Sequence, residues 1–164
     1  SRARKGLKQS VAHYAETHRG AAELPLLQQL AANLHALENK LGGDLTPLTD
    51  AVGFFLENST RERFETKRDP EGISWEQLKP ATVARKQHKN GSIRGGILVD
   101  HGDLRKSITY HASTQSVAVG TDRQYGQYHQ TGTVHLPARR FLGLSTEDQN
   151  GINDIIHQFL EDVL

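Results

Sequence analysis

The chain has 164 residues, 35% of them hydrophobic and 24% charged, and its 20 basic and 19 acidic side chains leave it at +1. That composition suits one ordinary soluble domain with a real core and excludes a disordered chain, while near-neutrality argues against an affinity built mainly on neutralising phosphates. Cysteine is absent, which excludes disulfide frameworks and thiolate metal sites, and no uncharged apolar run approaches the roughly 20 residues that a membrane span needs. The first residues are basic and then polar, without the apolar stretch of a secretory leader, so the cytosol is the expected compartment. Methionine is missing even at position 1, which implies a processed or trimmed start.

Residues 1–25 carry a weak helical pattern through Leu7, Val11 and Tyr14, and are expected to form a terminal helical arm or extension. Residues 26–164 are expected to form one α+β domain. Leu26, Leu27, Leu30, Leu34, Leu37 and Leu41 recur at helical spacing up to a Gly42-Gly43 stop, with Pro25 suited to the first turn. Thr46-Pro47 then opens a second helix with Thr46 as its cap. Leu48, Val52, Phe55 and Leu56 give that helix an apolar face, and the charged run from Arg61 to Arg68 gives it a solvated end. The two helices should form an antiparallel pair.

Asp69-Pro70-Glu71-Gly72 is a turn signal, and the lone Trp75 after it reads as the anchor that closes the loop over the core. A short basic helix is expected over 82–89, followed by a mobile Gly-rich loop over 90–96. Asp103 should cap a short turn that points Leu104 and Ile108 inward. Two β-branched runs, 108–113 and 116–121, are separated by a polar turn and predict a hairpin. Another helical piece should run from Asp122 to Gly132, with Tyr125, Tyr128 and His129 at contact spacing. Ser145-Thr-Glu-Asp resembles a capping box with Asp at the third position, and it introduces a last helix whose Ile152, Ile155, Ile156, Phe159, Leu160 and Val163 share one face. The architecture predicted is a helical pair, a small mostly antiparallel sheet, and a C-terminal helix packed on it.

Chemistry-bearing motifs are sparse. The nine histidines include no HExxH pair, and neither a phosphate-binding GxxxxGK[ST] loop nor a GxSxG elbow occurs. Asp100, His101 and Asp103 crowd together as a hard-cation or nuclease-like set would, but a turn followed by a helix cap requires the same residues. The expectation is no enzyme activity, no metal and no cofactor.

Several motifs, taken together, are specific. Phe64-Glu-x4-Pro-x-Gly-x2-Trp75-x2-Leu78 is followed by Ile97-Leu-x-Asp-x-Gly-x-Leu104-Arg-x-Ser-Ile108 and Val119-Gly-Thr. Then come Tyr125-Gly-x-Tyr-His-Gln-x-Gly132 and Pro137-Ala-Arg-x-Phe-Leu-Gly-Leu-Ser145. In this order they resemble the phage virion morphogenesis family, the tail-completion proteins of the phage Mu and phage P2 kind, across roughly residues 26–164. The resemblance implies a structural neck or tail-completion component of the virion, present in the host cytoplasm during assembly. It would form a homo-oligomeric ring around the DNA channel at the head–tail junction. Its partners would be further copies of itself, the connector or head-closure and tail-terminator or tail-tube proteins, and the genomic DNA in the channel, with no membrane.

Under that reading the subunit interface falls on Tyr125, Tyr128, His129, Gln130, Arg139, Arg140 and Phe141, with Trp75 supporting a loop nearby, since Tyr and Arg are frequent interface anchors. The competing reading makes Tyr128 and Phe141 core residues and Arg139 a clamp on its own loop. Lys79, Arg85, Lys86, Lys89 and Arg94 form the most basic region and would face DNA or an acidic neighbour. Two rival functions remain: a nucleic-acid-binding protein using segments 1–8 and 79–94, and a metal-dependent hydrolase using Asp100, His101 and Asp103.

Overall fold

A computed structural model describes residues 24–163. The arm expected over residues 1–25 lies outside the described residues except for Leu24 and Pro25. The elements are α1 (Leu24–Lys40), α2 (Thr46–Thr66), α3 (Pro80–Lys86), α4 (Asp103–Lys106), β1 (Thr109–Ala112), β2 (Val117–Gly120), α5 (Gly126–Thr131) and α6 (Thr146–Val163). The fold is α+β, with its strands in one two-stranded antiparallel sheet and its C-terminal helix in the same unit as the sheet's turn. Among the described residues no helix is long and apolar enough to cross a membrane.

Two compact units share the chain. The first holds α1, α2 up to Gly53, the hairpin tip 111–117, and α6 from Asn150 onward. Leu37, Leu45, Leu48, Val52 and Ile156 are its buried apolar residues. Its connections are polar as well as apolar. Leu45 N donates to Thr114 O (3.0 Å), the Thr49 hydroxyl donates to Ser113 O (2.6 Å), and Asn33 Nδ2 lies 3.3 Å from His157 Nε2. The hairpin turn is tightened by Ser113 N donating to Ser116 O at 2.8 Å, with the two serine hydroxyls 2.7 Å apart. Asp44, not Thr46, caps α2: its Oδ1 accepts both the Thr46 amide (3.0 Å) and the Thr46 hydroxyl (2.6 Å). The caprock is thus two residues earlier than the sequence suggested, and Thr46 opens the helix itself.

The second unit covers residues 54–110 and 118–149. Phe64, Trp75, Ile97, Leu104, Ile108 and Phe141 form its core, each side chain contributing roughly 1.5–3 kcal/mol by leaving water. Phe64 stands edge-on to Trp75, with ring centroids 5.6 Å apart, and meets Phe141 at 5.5 Å. The Asp69–Gly72 turn aims Trp75 inward. Asp69 N donates to Ile73 O (2.9 Å), Ile73 N donates to the Asp69 carboxylate (2.8 Å), and Trp75 N then pairs with Lys67 O (2.8 Å).

Four local expectations are corrected. The charged end of α2 is not uniformly solvated, because Thr60 and Arg63 are buried. The 90–96 loop is a hydrogen-bonded reversal: Gln87 and Ile93 form an antiparallel bridge, and Arg94 N donates to Lys86 O at 2.9 Å. Asp103 is the first residue of α4, and Gly102 in a left-handed conformation (φ 82°) holds the cap position without a side-chain bond. Likewise α5 starts at Gly126 rather than Asp122. By contrast, the Ser145 box forms as expected. Ser145 N donates to Asp148 Oδ2 and Asp148 N to Ser145 Oγ, both at 2.9 Å.

Candidate interaction surface

The second unit carries the residues that the sequence singled out. Helix α5 is short, and its one buried residue is Gly126. A Cβ there would lie 2.9 Å from Thr121 Cγ2 and 3.3 Å from Leu104 Cδ1, so only glycine lets the helix sit this close. Gly132 ends α5 at φ 75° and ψ 168°, with its amide on Tyr128 O at 2.9 Å. That backbone region is essentially reserved for glycine.

Beyond Gly132 the chain is fixed by side chains that imitate backbone pairing. Gln130 Oε1 accepts the amides of Phe141 and Leu142 (3.1 Å each), and its Nε2 donates to Leu142 O (2.8 Å). Arg139 N donates to His129 O at 2.7 Å. The buried Arg139 guanidinium donates to Glu76 O (2.8 Å) and Gln77 O (3.1 Å), while Trp75 Nε1 donates to Arg140 O (2.9 Å). Arg139 therefore ties its loop to the distant 76–77 segment, and Trp75 and Phe141 are core residues. Arg140 is exposed and pairs with Glu71 at 3.0 Å.

These clamps hold an apolar surface outward. Tyr125 and Tyr128 are 42% and 51% exposed, Leu136 is 40% exposed, and Val134 is 97% exposed at the tip of a tight turn. Thr133 N donates to Leu136 O at 2.8 Å, and the Thr133 hydroxyl accepts the amides of His135 (3.2 Å) and Leu136 (3.1 Å). Val134 was missed by the sequence reading. The signal available was a Gly-Thr start and a Leu-Pro end, which mark a turn but do not say which way its valine points.

Beside this surface lies a cleft of about 520 Å³ that brings parts of the two predicted residue sets together, while Lys89, Trp75, Tyr128, Gln130, Arg140 and Phe141 do not line it. Lys79, Arg85, Lys86 and Arg94 line it along with Tyr125, His129 and Arg139, over an apolar wall that includes Leu78, Leu98 and Leu104. Besides Arg139, two of these cations are already engaged. Lys86 Nζ donates to Gly96 O (2.9 Å) and Val99 O (2.7 Å), and burial lowers its pKa. Arg94 grips Asp100 with two bonds, at 2.9 and 3.1 Å, which holds that carboxyl below its usual range. Lys79, Arg85 and Lys89 are exposed and make no ion pair among the described residues. Burial and then the Arg139 charge lower the pKa of His129, whose buried Nδ1 has no hydrogen-bond partner among the described residues and whose ring meets Tyr125 edge-on at 6.3 Å.

Asp100, His101 and Asp103 all line the cleft, but Asp100 is committed to Arg94 and lies only 3.6 Å from the His101 ring. Among the described residues no group of three or more His, Asp or Glu side chains is arranged to hold a metal ion.

A small α+β scaffold whose polar clamps stiffen an exposed aromatic patch fits a protein of virion assembly, and residues 26–161 match the phage virion morphogenesis family; the chain belongs to it. It is 32% identical to the putative capsid assembly protein G of Escherichia phage Mu over 112 residues, covering 63% of this chain and 71% of the relative. It is 29% identical to the Mu-like prophage FluMu G protein 1 of Haemophilus influenzae over 121 residues, which is 71% of this chain and 80% of the relative. No solved structure matches it significantly.

Proposed function

We propose that this protein is a neck or tail-completion component that forms a homo-oligomeric ring around the DNA channel at the head–tail junction. Its work is assembly, without chemical turnover. The observation that carries this reading is the exposure of Tyr125 and Tyr128 at α5 and of Val134 and Leu136 in the turn that follows it. Hydrogen-bonded turns and a buried arginine fix the segments that carry them, and exposed apolar groups held in this way mark a protein contact. Membership of a virion morphogenesis family, and a relative named as a putative capsid assembly protein, support the setting. In this assignment Tyr125, Tyr128 and Arg140 touch the neighbouring copy, while His129, Gln130, Arg139, Phe141 and Trp75 hold them in place. Neighbouring neck proteins and the genomic DNA are the remaining partners, and a balanced charge of +1 lets DNA slide without being held.

The test is complementation of a phage or prophage that lacks the gene, followed by imaging of the particles. Particles with unjoined heads and tails, rescued by the wild-type chain and not by a Tyr125→Ser/Tyr128→Ser variant, are expected. Normal virions without the gene would overturn the reading. Nucleic-acid binding is the rival, favoured by the exposed Lys79, Arg85 and Lys89, which make no ion pair among the described residues. It predicts duplex affinity that falls steeply with salt.

A further inference from the structure

The charges of this near-neutral chain are segregated. From Gln77 to Val99 there are five Lys or Arg residues and no acid, whereas α6 has five Asp or Glu residues and no Lys or Arg. On the basic side, Lys86 and Arg94 are consumed within the reversal, which leaves Lys79, Arg85 and Lys89 exposed along α3 and just beyond it. On the acidic side, Asp148 is buried in the capping box. Glu147, Asp154 and Glu161 recur at seven-residue spacing with Asp162 beside them. At 100° per residue the first three therefore form one stripe, about 21 Å long, opposite the apolar Ile152, Ile156 and Leu160, with Asp162 at its edge. All four are exposed, and none makes an ion pair among the described residues.

We infer that the exposed cations on and beside α3, Lys79, Arg85 and Lys89, form a docking surface for a second copy of this chain, and that its occupant is the acidic stripe of that copy's α6. The inference rests on the self-assembly reading and names the two faces that meet. Charge complementarity selects the occupant. The three cations and the four acids are exposed and without an ion pair among the described residues, and opposite charges balance within a chain that carries +1 overall. A nucleic-acid ligand would account for the basic face but leaves the acid stripe without a role. The two faces lie on different elements, so the contact is heterologous. Each copy offers one of each face, and successive copies join head to tail, as a ring or a filament requires. Opposed fields of this kind set orientation and encounter rate more than final affinity, with the tyrosine patch supplying the apolar part.

Charge reversal on the full chain tests it. One variant carries Lys79→Glu, Arg85→Glu and Lys89→Glu; a second carries Asp154→Lys, Glu161→Lys and Asp162→Lys; a third carries all six. The six positions are exposed, so folding should be unaffected and is checked by circular dichroism. Light scattering after size exclusion should show the wild type assembling, with a midpoint concentration that rises with salt. Each triple variant should raise that midpoint at least about tenfold, and the six-fold variant should bring it back toward the wild type. A wild type that assembles while both triples assemble equally well would overturn this pairing and leave self-assembly standing. A wild type that stays monomeric at every concentration would remove the underlying reading, and the pairing with it. Failure of rescue in the folded six-fold variant, with duplex DNA binding lost in it and in the basic-face triple but kept in the acidic-face triple, would assign the basic face to nucleic acid instead.

Discussion

Asp148 sits where three requirements meet. It is 1% exposed, pairs with the buried Arg63, accepts the Ser59 hydroxyl, and closes the capping box by accepting the Ser145 amide at 2.9 Å. Arg63 in turn donates to Phe141 O at 2.9 Å, so a single carboxylate ties α2, the 141–145 loop and the start of α6 together. Asp148→Ala leaves the guanidinium with one carbonyl and no counter-charge. Breaking a buried pair from one side costs about 3–5 kcal/mol, and the remaining carbonyl places this case near the low end. Loss of the cap adds about 1 kcal/mol, for a total near 4 kcal/mol against a domain stability of roughly 5–15 kcal/mol. Arg63→Met should cost less, about 2 kcal/mol, because the stranded carboxylate keeps the Ser59 hydroxyl, the Ser145 amide and the positive end of α6. The assay is urea unfolding followed by the fluorescence of Trp75, the one tryptophan, which is buried in the same unit. With a slope near 2 kcal/mol per molar, the Asp148→Ala midpoint should fall by about 2 M. A midpoint within about 0.5 M of wild type, or a larger loss for Arg63→Met, would refute the reasoning.

Gly132→Ala should destabilise by about 1–3 kcal/mol, since the new Cβ would be 2.9 Å from Ala138 N at a φ of 75°; a melting temperature unchanged within a degree would contradict this. Tyr128→Ser should change stability by less than about 0.5 kcal/mol, since the ring is half exposed, yet weaken assembly measured by light scattering; equal assembly would remove Tyr128 from the contact. His129 should titrate below the ordinary histidine value of 6.5, visible in its NMR ring shifts. Its folded-state pKa lies below the unfolded one, so the unfolded chain binds the extra proton first and stability falls as pH drops through about 6.5. His129→Gln should lose less stability between pH 7.5 and 5.5 than wild type, and an identical loss would show that burial does not disfavour the imidazolium.

Much of the fold was legible because its signals are local. The leucine stripe of α1, the Ser145 box with Asp at its third position, and the paired β-branched runs each encode an element within a few residues. Legibility ended where a long-range partner decided the outcome. Arg63 sits in a run of charges that reads as solvated, and nothing nearby marks it as the residue that Asp148, 85 positions later, draws into the interior. Arg139 and Gln130 looked like surface anchors because their types are common there. Burial is set instead by carbonyls and amides on distant loops that need a donor or an acceptor. Conversely, the cleft united two residue sets that lie some 40 positions apart in the chain, Lys79–Arg94 and Tyr125–Arg139, which no periodicity connects.

We propose that this chain closes a ring where head meets tail, and a reconstruction of the virion neck would decide the matter. Density for this protein should form a single ring on the channel axis, with the segment from Tyr125 to Phe141 against the neighbouring copy. Density repeated along the tail tube, or mature particles from which the protein is absent, would contradict it.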